Sequence, residues 1–244
     1  MMKRTVIGAV VLSFLVGSQA MAMVVVSTEF GQGADTWIIN DPCNGGANAN
    51  WGTRTTMSYR WLVDSRFRTA YFRLDLSGAA GNLTGAILQL DLTFNNGSRA
   101  RTLNVYGLVD GAADFWDEAT ITYNNAPGFL PTNPINNGNW IFDTDPARSL
   151  TLLGQIAVPA AAGVMSSTTA ALNLDSFLAA NTNSLVTFVI MPGTSDTNVM
   201  YDWATKEHAT AMAPTLVLPH AIPEPATMAI LGLGSLVLLR RRRA

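Results

Sequence analysis

The sequence predicts an all-β fold, a single antiparallel β-sandwich with an N-terminal targeting segment before it and an apolar C-terminal segment after it. Three observations carry this. Apolar residues recur with period two along most of residues 23–219. Clusters of Gly, Pro and Asn punctuate those runs. Helical character is confined to one short stretch, Leu174–Asn181, with Asp175 as its cap or first-turn acid.

In chain order, the strand candidates begin with Val24–Glu29 and Asp35–Asn40. In Ala70–Leu76, Ala70, Phe72, Leu74 and Leu76 point one way and Tyr71, Arg73 and Asp75 the other, the pattern of a half-buried strand. In Ala86–Phe94 the two sets are Leu88, Leu90, Leu92 and Phe94 against Gln89, Asp91 and Thr93. Asn95–Ser98 reads as a hairpin loop into Arg101–Val109. Ala119–Asn124, Ser149–Val158, Ser184–Met191, Asn198–Ala204 and Pro214–Leu218 complete the set. Ala126–Gly128, Pro131–Gly138 and Pro192–Thr194 read as loops, and Ala160–Ala171 as a loop or edge strand.

The two ends are address labels. Lys3 and Arg4 precede an apolar run from Thr5 to Gly17, and Ala20-Met21-Ala22 is a small-x-small cleavage pattern. Residues 1–22 therefore read as a signal peptide cut after Ala22 by signal peptidase. At the other end, Pro223, Glu224 and Pro225 precede the uncharged run Ala226–Leu239, and Arg240, Arg241, Arg242 and Arg243 follow it. As a helix that run would span about 21 Å, short of a bilayer core of about 30 Å. It suits a transient stop-transfer anchor. Both basic clusters stay on the cytoplasmic side, which puts the domain between them across the membrane.

The three-part tail resembles the PEP-CTERM sorting signal of Gram-negative bacteria. The resemblance implies recognition by an exosortase, removal of residues 222–244, and delivery to the cell surface or an extracellular polysaccharide matrix.

Charge excludes one class of partner. The formal net charge is −2, but positions 23–222 hold 9 Lys+Arg and 16 Asp+Glu, or −7 for the exported part. Nucleic acid needs a basic footprint. Cys43 is the single cysteine, so no internal disulfide forms, and it reads as a loop residue.

A second resemblance covers roughly Val24 to Leu218. It rests on Asp35-Thr36-Trp37-Ile38, on Asn50-Trp51-Gly52, on Arg68–Ser77, on Lys206-Glu207 and on Ala213–Leu218. Its sharpest part is Phe115–Pro127, with Trp116-Asp117-Glu118 and Asn124-Asn125-Ala126-Pro127. Together these resemble the DNRLRE domain, related to the disaggregatase repeat and grouped with carbohydrate-binding module family 96. The resemblance implies a jelly-roll-type sandwich over residues 23–219 and a non-catalytic binding role. Some members bind anionic glycans such as alginate. It also implies a paired, structural role for Arg73.

Seven of the nine basic residues of the exported part lie between Arg54 and Arg101. Arg54, Arg60, Arg66 and Arg68 interleave with Trp51, Tyr59 and Trp61. Guanidinium forks pair with carboxylate or sulfate, and flat rings stack on apolar sugar faces. An anionic polysaccharide or matrix polymer offers both. Two readings stand: the Asn50–Arg68 loop is a binding face, or its tryptophans plug one end of the sandwich while its arginines balance surplus acids.

Asp110, Asp114, Asp117 and Glu118 also admit two readings. They suit a structural calcium, which takes carboxylate and carbonyl oxygens, or they fix a corner through side-chain-to-backbone bonds. Catalytic signatures are thin: His208 and His220 are the two histidines, and neither a Gly-x-Ser-x-Gly elbow nor a His-Glu-x-x-His motif occurs. The expected protein is not an enzyme. It binds glycan or builds an envelope or matrix; a glycan lyase or hydrolase with an acid-only site is the remaining class.

Overall fold

The computed structural model describes residues 21–40, 45–61, 67–79, 83–96, 101–130, 142–167, 172–192 and 199–221. Met23–His220 is one compact unit. Apart from Met21 and Ala22, both targeting segments lie outside the described residues, as do Cys43 and Pro131–Gly138. Among the described residues no helix is long and apolar enough to cross a membrane.

Eleven strands form the unit: β1 Met21–Ser27, β2 Ala34–Asn40, β3 Thr56–Trp61, β4 Phe67–Asp75, β5 Ile87–Asn95, β6 Arg101–Leu108, β7 Leu150–Val158, β8 Gly163–Ser167, β9 Leu185–Pro192, β10 Val199–Ala204 and β11 Thr215–Ala221. Among the described residues one α-helix, α1, spans Leu174–Ala179, within the predicted Leu174–Asn181. The pairing path is β1-β11-β5-β10-β3-β4-β9-β6-β7, with β2 added on β4 and β8 on β5. The link between its two halves is narrow, Arg60 to Arg68 and Trp61 to Phe67. The path thus folds into two leaves of a sandwich.

Inward residues of both leaves share one core. Ala70, Phe72 and Leu74 of β4 and Val186, Phe188 and Ile190 of β9 meet Leu88, Leu90 and Leu92 of β5 and Tyr201 and Trp203 of β10. Phe72 and Phe188 stack with centroids 5.2 Å apart. Helix α1 closes one side. Its Phe177 packs edge-on against Phe188 at 5.5 Å and lies against Gly107, where a Cβ would sit 2.4 Å from the ring.

Four expectations need correction. The Asn95–Ser98 connection is not a hairpin. β5 pairs with β10, β11 and β8, whereas β6 pairs with β7 and β9, so the chain crosses between leaves there. Residues 56–61, read as part of a loop, form β3, whose Met57 and Tyr59 are core. Ala119–Asn124, read as a strand, is a series of turns.

The fourth correction concerns β4. Tyr71, Arg73 and Asp75 are buried, as is the rest of the strand from Thr69 on. The segment 109–130 lies over this second face. Trp116, Ile121, Tyr123, Ala126 and Phe129 pack there with Ile38, Tyr71, Val189 and Met191 in a separate apolar cluster. Tyr71 meets Trp116 and Phe129 edge-on, each at 6.2 Å, and its hydroxyl donates to the Pro127 carbonyl at 2.8 Å. Burial raises its pKa well above the ordinary tyrosine value. Tyr71→Phe leaves that buried carbonyl without its donor and should lower stability by about 1–3 kcal/mol. A shift in the urea midpoint at unchanged slope measures it.

Candidate functional site

The strands β2, β3, β4 and β10 meet around an open cleft of about 270 Å³, lined by Trp37, Trp51, Arg54, Thr56, Ser58, Arg68 and Asp202. Trp37 and Trp51 stack with centroids 4.4 Å apart and planes 15° from parallel. The guanidinium of Arg54 lies 4.7 Å from the Trp51 centroid, and that of Arg68 lies 4.6 Å from the Trp37 centroid. The gap between the indoles leaves no room for a guanidinium. The four groups therefore form a column, Arg54–Trp51–Trp37–Arg68, with a cation at each end.

The column is held from several sides. Trp37 comes from β2, paired with β4 in register Trp37 to Ala70. Arg68 donates to Ser58 Oγ at 3.1 Å. The Trp51 turn is pinned by Asn50, whose Nδ2 donates to the carbonyls of Glu118 and Ile121, each at 2.8 Å, and whose Oδ1 accepts from Gly52 N at 3.2 Å. Gly52 packs so closely that a Cβ would sit 2.2 Å from the Glu118 carbonyl oxygen. Thr205 Oγ1 donates to the Arg54 carbonyl at 2.6 Å. The block around Trp116–Pro127 thus fixes the corner that presents Trp51.

Two polar groups of the cleft lack partners among the described residues, Trp51 Nε1 and Asp202 Oδ1. Asp202 pairs with Ser58 across β10 and β3. Burial raises its pKa, against the opposing pull of Ser58 and Arg68.

The residues predicted for this site divide. Trp51, Arg54 and Arg68 line the cleft. Arg60 stands opposite Arg68 in the β3–β4 register, half-buried, and does not line it. Tyr59 is a correction: it is buried in the core, 5.8 Å from Tyr201 and 6.4 Å from Trp203, because β3 alternation turns it inward. Arg66 lies outside the described residues, as does the side chain of Trp61. Trp37, Ser58 and Asp202 were missed. Trp37 read as a strand residue; its place beside Trp51 follows from tertiary contact.

Arg73 is structural in geometry. Its Nε donates to the Gln32 carbonyl at 2.8 Å; its Nη1 donates to the carbonyls of Asp114 and Trp116 at 2.7 and 2.6 Å. Its Cζ lies 5.0 Å from the Trp116 ring centroid. Burial lowers its pKa, opposed by the charges of Asp114, Glu118, Asp75 and Asp117.

The four acids named for calcium do not converge in one cluster among the described residues. Asp110 accepts from Thr182 N at 3.1 Å, from the Thr182 hydroxyl and from Asn181 at 3.1 Å. Asp114 is buried near Asn183, with Nδ2 to Oδ2 at 3.4 Å. Asp117 accepts from Ala119 N at 2.9 Å, and Glu118 pairs with Lys206. Each of the four thus has a partner in its own surroundings. Among the described residues, the three carboxylates that do converge are Asp35, Glu118 and Glu207.

The family model for carbohydrate-binding module family 96 matches residues 26–146, and that for the PEP-CTERM protein-sorting motif matches residues 221–243. No curated protein matches this chain. The class is that of a carbohydrate-binding module on a β-sandwich, and a carbohydrate-binding module is itself non-catalytic. The chain is a PEP-CTERM protein carrying a carbohydrate-binding-module-like domain. The module indicates carbohydrate binding. The sorting motif indicates export, processing by exosortase, and a surface or extracellular location.

Two outcomes follow from the geometry. Arg73→Met should destabilise by about 3 kcal/mol or more, since it leaves three carbonyls without a charged donor; equilibrium denaturation measures this. Asp114 has its carboxyl raised from 3.8 to about 6, chiefly by burial. Between those values the folded state keeps a proton that the unfolded state has released, so this group's contribution to stability falls as pH rises through that window. Asp114→Asn should flatten that part of a Tm–pH profile.

Proposed function

We propose that the protein is an exported, non-catalytic surface or matrix component of a Gram-negative bacterium. Its sandwich binds an anionic polysaccharide at the cleft between Trp37, Trp51, Arg54, Arg68 and Asp202. The leader is removed by signal peptidase after Ala22, and the tail holds the chain at the membrane transiently until exosortase removes it.

The observation that carries this reading is the cation-ended indole column beside an open, polar cleft. Each guanidinium uses one face for the ring; Arg54 is exposed, so its in-plane edge can meet a carboxylate or sulfate, and Arg68 adds its positive charge at the other end. Ser58 and Asp202 complete the polar lining of the cleft. The column stiffens the arginine side chains before a ligand arrives, which reduces the ordering cost of binding.

Affinity electrophoresis through gels containing alginate, polygalacturonate or a neutral glucan tests the proposal. Retardation is expected in the acidic gels and should weaken as salt is raised. Arg54→Ala and Arg68→Ala should each weaken binding about tenfold or more, the equivalent of one charge-assisted contact. Equal mobility in every gel would refute the reading and leave a structural matrix role. Mass spectrometry of secreted material should find both processing sites used.

A further inference from the structure

A cluster of charges lies outside the cleft lined by Trp37 and Trp51. Asp35 opens β2, Glu118 belongs to the segment over the second sheet face, and Glu207 lies in the β10–β11 connection. One carboxylate oxygen of each falls within 4.8 Å of the others. Against these three acids stands the Lys206 ammonium, which bonds Glu118 Oε2 and donates to the Gly33 carbonyl at 3.3 Å.

The two oxygens of Asp35 are treated differently. Oδ2 accepts from the Thr28 hydroxyl and from Lys206 N at 3.0 Å. Oδ1 is buried and has no hydrogen-bond partner among the described residues, on a residue that is 0% exposed. A buried carboxylate oxygen without a partner is unfavourable and calls for a proton or a cation.

We propose that Asp35, Glu118 and Glu207 form a calcium site, with the Gly33 carbonyl as a fourth protein ligand once Lys206 has swung away. The donor set is all oxygen, which suits a hard cation and not zinc or copper. Calcium bonds oxygen at about 2.3–2.6 Å, so its ligands lie up to about 5 Å apart across the ion. Magnesium, at about 2.0–2.1 Å, needs a tighter cage. Lys206 is partly exposed and has a flexible stem, so its ammonium can move to solvent. Occupancy would tie β2, the Glu118 segment and the β10–β11 connection together. The Glu118 main chain also holds Asn50, and through it the Trp51 turn.

The test uses purified full-length protein stripped with EDTA and needs no glycan, so it stands apart from the cleft reading. Thermal unfolding is compared in EDTA, 1 mM magnesium and 1 mM calcium (all about-millimolar conditions, well above a dissociation constant of about 10 µM). Calcium should raise Tm by about 5 °C or more, and calorimetry should give one site. Glu207→Gln, on an exposed residue, should abolish the calcium shift and leave the EDTA value nearly unchanged. Lys206→Met should bind calcium more tightly, because the competing ammonium is gone. Identical unfolding in calcium and EDTA, with no calorimetric binding by wild type or Lys206→Met, would overturn the proposal. So would an equal response to magnesium, or a calcium shift that survives Glu207→Gln.

Discussion

The structure depends on one buried guanidinium. Arg73 sits on a strand covered on both faces and gathers three main-chain carbonyls from two distant stretches, Gln32 before β2 and Asp114 and Trp116 after β6. Those carbonyls belong to irregular backbone, which cannot satisfy itself as a ladder does. A single planar, multivalent donor replaces the missing ladder and fastens an otherwise patternless segment to the sheet. Trp116, over which the guanidinium lies, also donates its indole N–H to Thr187 at 3.0 Å on β9. The same clasp therefore reaches a third element.

From that clasp the cleft follows. Segment 109–130 is held by Arg73 and Tyr71, and Glu118 and Ile121 on it supply the carbonyls that fix Asn50. Asn50 sets the Trp51 turn, and Trp51 stacks on Trp37 of β2. Rigid packing on one face of the sheet thus positions the cation-ended column at the cleft. The family block that is most distinctive in sequence is a support for the site and not a lining of it.

Much of the fold was legible because alternation is a local property. Ala86–Phe94 and Arg101–Val109 show it plainly, and the helix at Leu174 carries its own first-turn acid. Which strand pairs with which is not local. A turn such as Asn95–Ser98 has the same composition whether it closes a hairpin or crosses between leaves. Burial of the second face of β4 was hidden for the same reason: Tyr71, Arg73 and Asp75 look solvent-facing until a segment forty residues away is laid over them. At the site, Trp51, Arg54 and Arg68 were visible as an unusual cluster of arginine and tryptophan. Tyr59 shared that composition but sits on the inward phase of a strand hidden by it. Asp35, Glu118 and Glu207 are too far apart in sequence for any spacing rule to join them.

The first and last strands are neighbours in the sheet, and Thr28 N donates to the Pro214 carbonyl at 3.1 Å where they meet. Asp35 likewise waits for Lys206, 171 positions on. Contacts of such long range make folding slow, because the loop must close before any bond rewards it. The opening strand has no permanent neighbour until almost the whole polypeptide has been made. For a chain that is exported, that delay is useful: the ribbon stays pliable until its closing strand has been made.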